Sequence, residues 1–418
     1  MTNFTPERKE GGVENLGSSM GVFEETAPLR KVIMWGQPGP EAVIAQVLPE
    51  GISCFYENFS VVKARTEFEV ARGMIQDHGV EVIQVKDLLI KMINEQGIKA
   101  EHTLDSLKEA LVRKALDYSK KYPSGCTSEI EVIGDMIDED VKKYHSENAV
   151  IVVNEMLSLS HQFDLPLANV VYTRDQSNVA GRAWIWSSMR HEIRQPEVAL
   201  YQRVLEYSGI VNAENFDQVV KVSGEGRFEG GDGIVNNSVY YIGLGGRTNW
   251  EGIKQIAPAV LSQDLRLIVF RDRSRAKGEN EMKAMHLDTI WMPSDTNTIV
   301  ACGVEMARRK AFEIRLVDGK LETEGIGEMA NYMKQRGART ISISDPEQIA
   351  FAPNFLNLGN NTVILSLIDE NSVNKNAGEK TIEEKLKAEG MVVLNANLQA
   401  ITKGYGGLHC MTAAIKRG

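Results

Sequence analysis

The chain predicts an α/β protein, and two observations carry that prediction. From residue 166 to the C-terminus, short apolar runs recur at close intervals with helical segments between some of them. Between residues 87 and 165 the texture changes to helical periodicity, rich in Leu, Ile, Glu, Lys and Ala and poor in Gly and Pro. Gly and Asn gather at the ends of the apolar runs, where turns and loop-borne chemistry belong.

Taken in order, residues 1–18 are polar and Glu/Gly-rich and read as a flexible arm. Residues 31–36 form a strand closed by Gln37-Pro-Gly39. A helix over 56–78 follows, with apolar residues at three- and four-residue spacing, and then a strand at 80–85. The block 87–165 reads as an all-helical insertion, clearly interrupted only at Tyr122-Pro-Ser-Gly125. Strands are expected at 170–173, 183–188, 219–223, 238–242, 265–270, 289–293, 298–302, 312–317, 340–343, 361–367 and 392–396. Helices are expected at 196–207, 250–261, 324–335 and 381–389.

Composition narrows the class of function. Apolar residues make up 43% and charged residues 25% of the chain, as in a soluble globular protein with a real core. The net charge of −10 argues against nucleic acid as a partner, because phosphate contacts need clustered Lys and Arg. No stretch reaches the roughly 20 apolar residues of a membrane span, and the N-terminus lacks the apolar core of a secretory signal. Cys54, Cys126, Cys302 and Cys410 are far apart and form no C-x-x-C pair. A disulfide framework and a structural zinc site are both unexpected, and a reducing, cytoplasmic setting is expected. There is no P-loop, no G-x-S-x-G elbow and no H-E-x-x-H, and Gly243-Leu-Gly-Gly246 lacks dinucleotide spacing.

Four segments carry candidate chemistry: Asn169-Val-Val-Tyr-Thr-Arg-Asp175, Phe228-Glu-Gly-Gly-Asp232, His286-Leu-Asp-Thr289 and Gly406-Gly-Leu-His-Cys-Met-Thr412. If extended, the first would set Asn169, Thr173 and Asp175 on one face, and the third would do the same for His286 and Asp288. His409 and Cys410 would then oppose each other, leaving His286 as the better base for Cys410. A guanidinium is a planar cation whose N–H donors match carboxylates. Its central carbon is a weak electrophile, so a thiolate suits the attack and a His suits the proton transfers. Cys410, His286, Asp175, Glu229 and Asp288 make up that set. The glycines of Gly230-Gly231 and Gly406-Gly407 would let backbone approach a substrate. Each element also has a plain reading. Cys410 alone reads as a small buried hydrophobe, Glu-Gly-Gly-Asp as a turn, Arg174–Asp175 as a local ion pair, and His286 with Asp288 as a satisfied loop pair.

Together, in this order, the segments resemble the arginine deiminases of the guanidino-modifying (pentein) superfamily, from Ala27-Pro-Leu-Arg-Lys-Val-Ile33 to the Cys410 loop. The helical block at 87–165 resembles the insertion that sets those enzymes apart from smaller relatives. The resemblance implies a pentein α/β propeller of five pseudo-symmetric ββαβ units, spanning 19–86 and 166–418. It implies Cys410 as nucleophile, His286 as general acid/base, Asp175 and Asp288 as guanidinium clamps, and Glu229 beside His286. Asn169, Arg194 and Arg247 match positions that handle the substrate's α-carboxylate and α-amino end. Tyr405 stands where the family usually has a further arginine, and Gln176-Ser-Asn-Val-Ala180 departs from its Pro-Ser-aromatic pattern. No metal or organic cofactor is implied. The expected partner is a small guanidino compound, arginine first, and a homo-oligomer is compatible with the sequence. Alternatives are an arginine dihydrolase, an amidinotransferase, or a non-catalytic guanidino-binding protein.

Overall fold

A computed structural model describes residues 20–55, 59–158, 165–273, 285–367 and 380–418. The arm expected at 1–18 and the start of the helix expected at 56 lie outside these residues.

Among the described residues, five sheets share one pairing pattern: an antiparallel pair extended by a strand parallel to one of its members. Leu29–Met34 pairs antiparallel with Ala413–Arg417 and parallel with Glu81–Gln84, so the first and last described strands meet in one sheet. Ser177–Ala180 pairs with Ala183–Trp186, which runs parallel to Gln218–Lys221. Gly233–Asn236 pairs with Val239–Leu244, which runs parallel to Arg266–Asp272. Trp291–Asp295 pairs with Thr298–Cys302, which runs parallel to Arg339–Ile343. Leu356–Gly359 pairs with Thr362–Leu367, which runs parallel to Val392–Asn397. The third sheet gains a hairpin, Arg309–Val317 with Lys320–Glu328. Parallel neighbours need a crossover, and the helices Val61–Asp77, Gln195–Tyr207, Trp250–Leu261, Met329–Gln335 and Ile382–Ala388 lie in those connections.

Local chemistry explains where these elements start. Trp250–Leu261 opens at Asn249, whose side chain accepts the Gly252 N–H, and it buries Ile253, Ile256, Ala257 and Val260 at helical spacing. Thr381 and Ser344 each open a helix with a complete capping box. Two expectations fail. Residues 170–173 are turns, not a strand, because their buried polar groups bond to other elements: the Thr173 hydroxyl to that of Tyr201, and the Val170 carbonyl to Tyr201. The helix expected over 324–335 begins only at Met329, because the preceding residues complete the hairpin with Arg309–Val317. The strands Ser177–Ala180, Gly233–Asn236, Leu356–Gly359 and Ala413–Arg417 were not legible as apolar runs; most are four residues long and adjoin loop motifs.

Between the first and second sheets the chain is helical: Val85–Gln96, Leu104–Lys121, Ile133–Tyr144 and Glu147–Ser158. These helices do not form a separate core. Leu89, Ile93, Leu107, Leu111, Ile137 and Val153 belong to one apolar cluster with Val32, Trp35, Phe68 and Tyr201. A buried ion pair also joins them. Lys86 donates to Asp140 at 2.5 Å, and Arg65 reaches the same carboxylate at 3.3 Å. Burial works against the Asp140 carboxylate, but the two cations override it and hold its pKa low. Asp140→Ala would leave Lys86 charged and buried without its partner, and should cost about 3–5 kcal/mol of stability. Glu139→Ala, at a side chain 66% exposed, should change stability by less than about 0.5 kcal/mol. Equal urea midpoints for the two variants would refute this account.

Candidate active site

The four candidate segments converge on one buried cluster. The Arg174 N–H donates to the Cys410 carbonyl at 2.9 Å, and the Gly230 N–H donates to the Asp175 carbonyl at 3.2 Å, tying three loops together. A Cβ at Gly230 would sit 2.0 Å from the Arg174 carbonyl oxygen, and one at Gly231 would sit 2.8 Å from His286 Nδ1. A Cβ at Gly406 would meet the Tyr172 ring at 2.5 Å. These glycines therefore let loop meet loop, rather than only letting backbone meet substrate.

His286 precedes a single turn, Leu287–Thr289, so the shared-face argument for an extended strand does not apply. Its Nε2 lies 2.8 Å from Glu229 Oε2, and its Nδ1 lies 3.5 Å from Asp175 Oδ1. Burial, the largest single influence, disfavours the imidazolium, but Asp175, Glu229 and Asp232 override it and raise the pKa to about 9. Burial likewise opposes the Glu229 carboxylate, yet Arg247 and His286 hold its pKa far below the usual range. Arg247 Nη1 approaches Glu229 at 3.2 Å. Arg194 Nη1 donates to Asp175 Oδ2 at 2.7 Å and Arg194 Nη2 to Glu197 at 3.1 Å. Asp175 thus pairs with Arg194, not with its neighbour Arg174, whose buried Nε and Nη2 have no partner.

Cys410 is buried. Its Sγ lies 3.7 Å from Asp288 Oδ2. Burial, then Asp288 and Asp175, push its thiol well above the ordinary cysteine range. His409 does not face away from this chemistry. Residues 408–411 are a turn, not a strand, and His409 Nδ1 donates to the same Asp288 oxygen at 2.7 Å. Asp175 Oδ1 and Asp288 Oδ1 are buried without a hydrogen-bond partner, as is His286 Nδ1, which faces Asp175 Oδ1 at 3.5 Å.

At the periphery, Asn169 donates to the Ser53 carbonyl at 2.8 Å. Tyr405 has φ +65°; it turns its hydroxyl to Glu50 and packs with Met285 and Phe351. Gln176 donates to Glu197 at 2.7 Å. The sequence reading missed Asn354 and gave Asp232 no role of its own. Asn354 accepts the N–H groups of both Gly407 and Cys410 at 3.1 Å through one oxygen; its only signal was a position after Pro353 in a loop. Asp232 closes the Glu-Gly-Gly-Asp motif. It accepts from Leu287 N–H and Thr248, and burial raises its pKa to about 7. Asp175, Glu229 and His286 offer atoms within 4.8 Å of one another. Because Arg194 and Arg247 already balance the carboxylates, we do not read this trio as a metal site.

The family model described as arginine deiminase matches residues 54–417, and the chain belongs to that family. It is 25% identical to the arginine deiminase of Mycobacterium avium over 425 residues, covering 95% of this chain and 98% of that protein. Its fold is that of the N-terminal domain of ArgZ, an arginine dihydrolase of cyanobacteria, at TM-score 0.54 and 14% identity, covering 93% of this chain and 98% of that one. A dimethylarginine dimethylaminohydrolase adduct is similar at TM-score 0.51 and 15% identity, covering 92% and 99%. No helix among the described residues is long and apolar enough to cross a membrane.

The raised His286 pKa has a consequence for stability. Its contribution is fully present below about pH 6.5, the unfolded value, and is lost as pH rises through about 9. Urea midpoints of the native protein should fall across that window, and His286→Gln should flatten the fall. An unchanged slope in the variant would contradict the assignment.

Proposed function

We propose that this protein hydrolyses L-arginine to L-citrulline and ammonia through a covalent adduct on Cys410. The observation that carries the reading is the pair of buried carboxylate oxygens without donors, Asp175 Oδ1 and Asp288 Oδ1, with the Cys410 thiol beside Asp288. An unpartnered buried carboxylate oxygen is costly, and a guanidinium supplies a flat cation whose N–H groups satisfy both.

Burial, together with the same carboxylates, suppresses the thiolate in the free protein, so the substrate cation supplies the missing positive field. The Cys410 proton passes to solvent as the guanidinium binds, and the thiolate adds to the guanidinium carbon, forming a C–S bond. The imidazolium of His286, held by Glu229, gives its proton to the departing nitrogen, and ammonia leaves. A thiouronium adduct remains. The neutral His286 then takes a proton from water, the hydroxide adds to the same carbon, and the C–S bond breaks to release the thiolate while the new O–H proton passes to solvent, leaving citrulline. Arg194 and Arg247 each carry five donors and would turn part of them to the substrate's α-carboxylate, with Asn169 and the Tyr405 loop at that end. We infer further that the five sheets stand as propeller blades around this site, with 19–86 and 166–418 as the catalytic body and 87–165 as an insertion. The sparse, unpaired cysteines support a cytoplasmic setting.

Incubation with arginine should yield citrulline by mass; ornithine instead would mark a dihydrolase, the activity of the ArgZ relative. Cys410→Ser should lower kcat by more than about a thousandfold. Asp175→Ala or Asp288→Ala should lower kcat/KM by about a hundredfold or more. A fully active Cys410→Ser ends the proposal. The pH midpoint for alkylation of Cys410 should fall when methylguanidine is bound, and an unmoved midpoint would remove the role given to the substrate's charge.

A further inference from the structure

Asp288 is the residue on which clamp and nucleophile meet. Its Oδ2 faces the Cys410 sulfur at 3.7 Å, its Oδ1 is buried without a donor, and its main-chain oxygen accepts from Asn354 at 3.2 Å. Among the described residues, two side chains reach its carboxylate, both at Oδ2: the Cys410 thiol at 3.7 Å and, far closer, His409 through Nδ1 at 2.7 Å. An ionised carboxylate accepts hydrogen bonds and never donates, so Nδ1 carries the proton.

The His409 ring is itself fixed from behind. It is fully buried, and its main-chain N–H donates to the Asn354 carbonyl at 3.2 Å. Its Nε2 lies 3.6 Å from Glu25 Oε1. Glu25 accepts from Arg417 Nη2, and Arg417 Nη1 donates to the carbonyls of Ala27 and Asn357 at 2.9 Å. The ring therefore stands in a buried row that runs from Arg417 through Glu25, His409 and Asp288 to the sulfur of Cys410. The fields of His286 and Arg174 also reach Asp288 and favour its carboxylate.

We propose that His409 is a positioning residue for the guanidinium reaction: by occupying Asp288 Oδ2, it turns Oδ1 toward the substrate and holds Oδ2 against the sulfur. The inference rests on the guanidino-hydrolase reading of this site. It makes His409 neither acid nor base; it touches neither substrate nor sulfur and acts only through Asp288. Without it, the carboxylate loses its charge-assisted donor and is able to rotate or take up a proton next to the thiol.

Three substitutions separate this role from simple packing. In His409→Asn the amide nitrogen stands near the Nδ1 position and still reaches Asp288. In His409→Gln the longer side chain carries its nitrogen to the Nε2 position, toward Glu25. His409→Ala removes both. Arginine hydrolysis by His409→Asn should stay within about threefold of the native kcat/KM, while His409→Gln and His409→Ala should fall about ten- to a hundredfold, the worth of a charge-assisted bond. A packing role would weaken Asn and Gln alike, and that result overturns the proposal, as does a native-like His409→Ala. If His409→Ala does not fold, the Asn/Gln comparison still decides. A second readout needs no guanidino substrate: the rate of Cys410 alkylation by iodoacetamide. His409→Asn should match the native protein, while His409→Gln should differ from it by more than about threefold, because the charge beside the sulfur has moved. Equal rates in all variants overturn the positioning role whatever the substrate, whereas failure of the native protein to hydrolyse arginine refutes only the proposed reaction.

Discussion

The site depends on one constraint: four carboxylates crowd together out of water, and the cations around Glu229 and Asp288 overcome burial to keep those two ionised. Asp175, Glu229, Glu197 and Asp288 are all buried, and an isolated buried carboxylate would protonate rather than stay charged. Each is kept company instead. Arg194 bridges Asp175 and Glu197, Arg247 and His286 hold Glu229, and His409 holds Asp288. The compensation is incomplete by design of the geometry, since Asp175 and Asp288 each keep one oxygen without a donor. That residual negative field favours a cation and, until a cation arrives, disfavours a second anion on Cys410.

The backbone geometry follows from the same crowding. Loops carrying opposite charges must approach within hydrogen-bonding distance, and side chains would prevent it. At Gly230 and Gly231 a Cβ would strike the Arg174 carbonyl and the His286 ring. Asn354 performs a related task for the nucleophile loop, collecting two N–H groups on one oxygen while its amide nitrogen reaches the Asp288 carbonyl. Three loops are thereby locked into one hydrogen-bonded unit, with the sheets behind them as support.

Much of the fold was legible in the sequence, and the misses have physical causes. Thr298–Cys302 and Trp250–Leu261 coincide with the expected spans, because a continuous apolar run and a clean helical stripe each bury one face. Lys320–Glu328 was read in part as helix because its exposed, charged residues carry no strand alternation; only pairing with Arg309–Val317 makes it a strand. The turns around 170–176 and 408–411 were misread for a related reason. Their apolar residues are buried beneath a site rather than in a sheet, so hydrophobicity alone suggested extended chain.

The sequence by itself determined which chemistry was on offer. A thiol, an imidazole, three carboxylates and paired glycines in four ordered segments are the groups a guanidinium reaction needs, and residue identity sets their reactivity. Only the tertiary structure decided which group faces which. Asp175 pairs with Arg194 rather than with the adjacent Arg174, and His409 serves Asp288 rather than pointing away from Cys410. Such partners stand as far as 121 residues apart in the chain. Their meeting is set by sheet pairing and loop contact, so no local pattern of spacing records it.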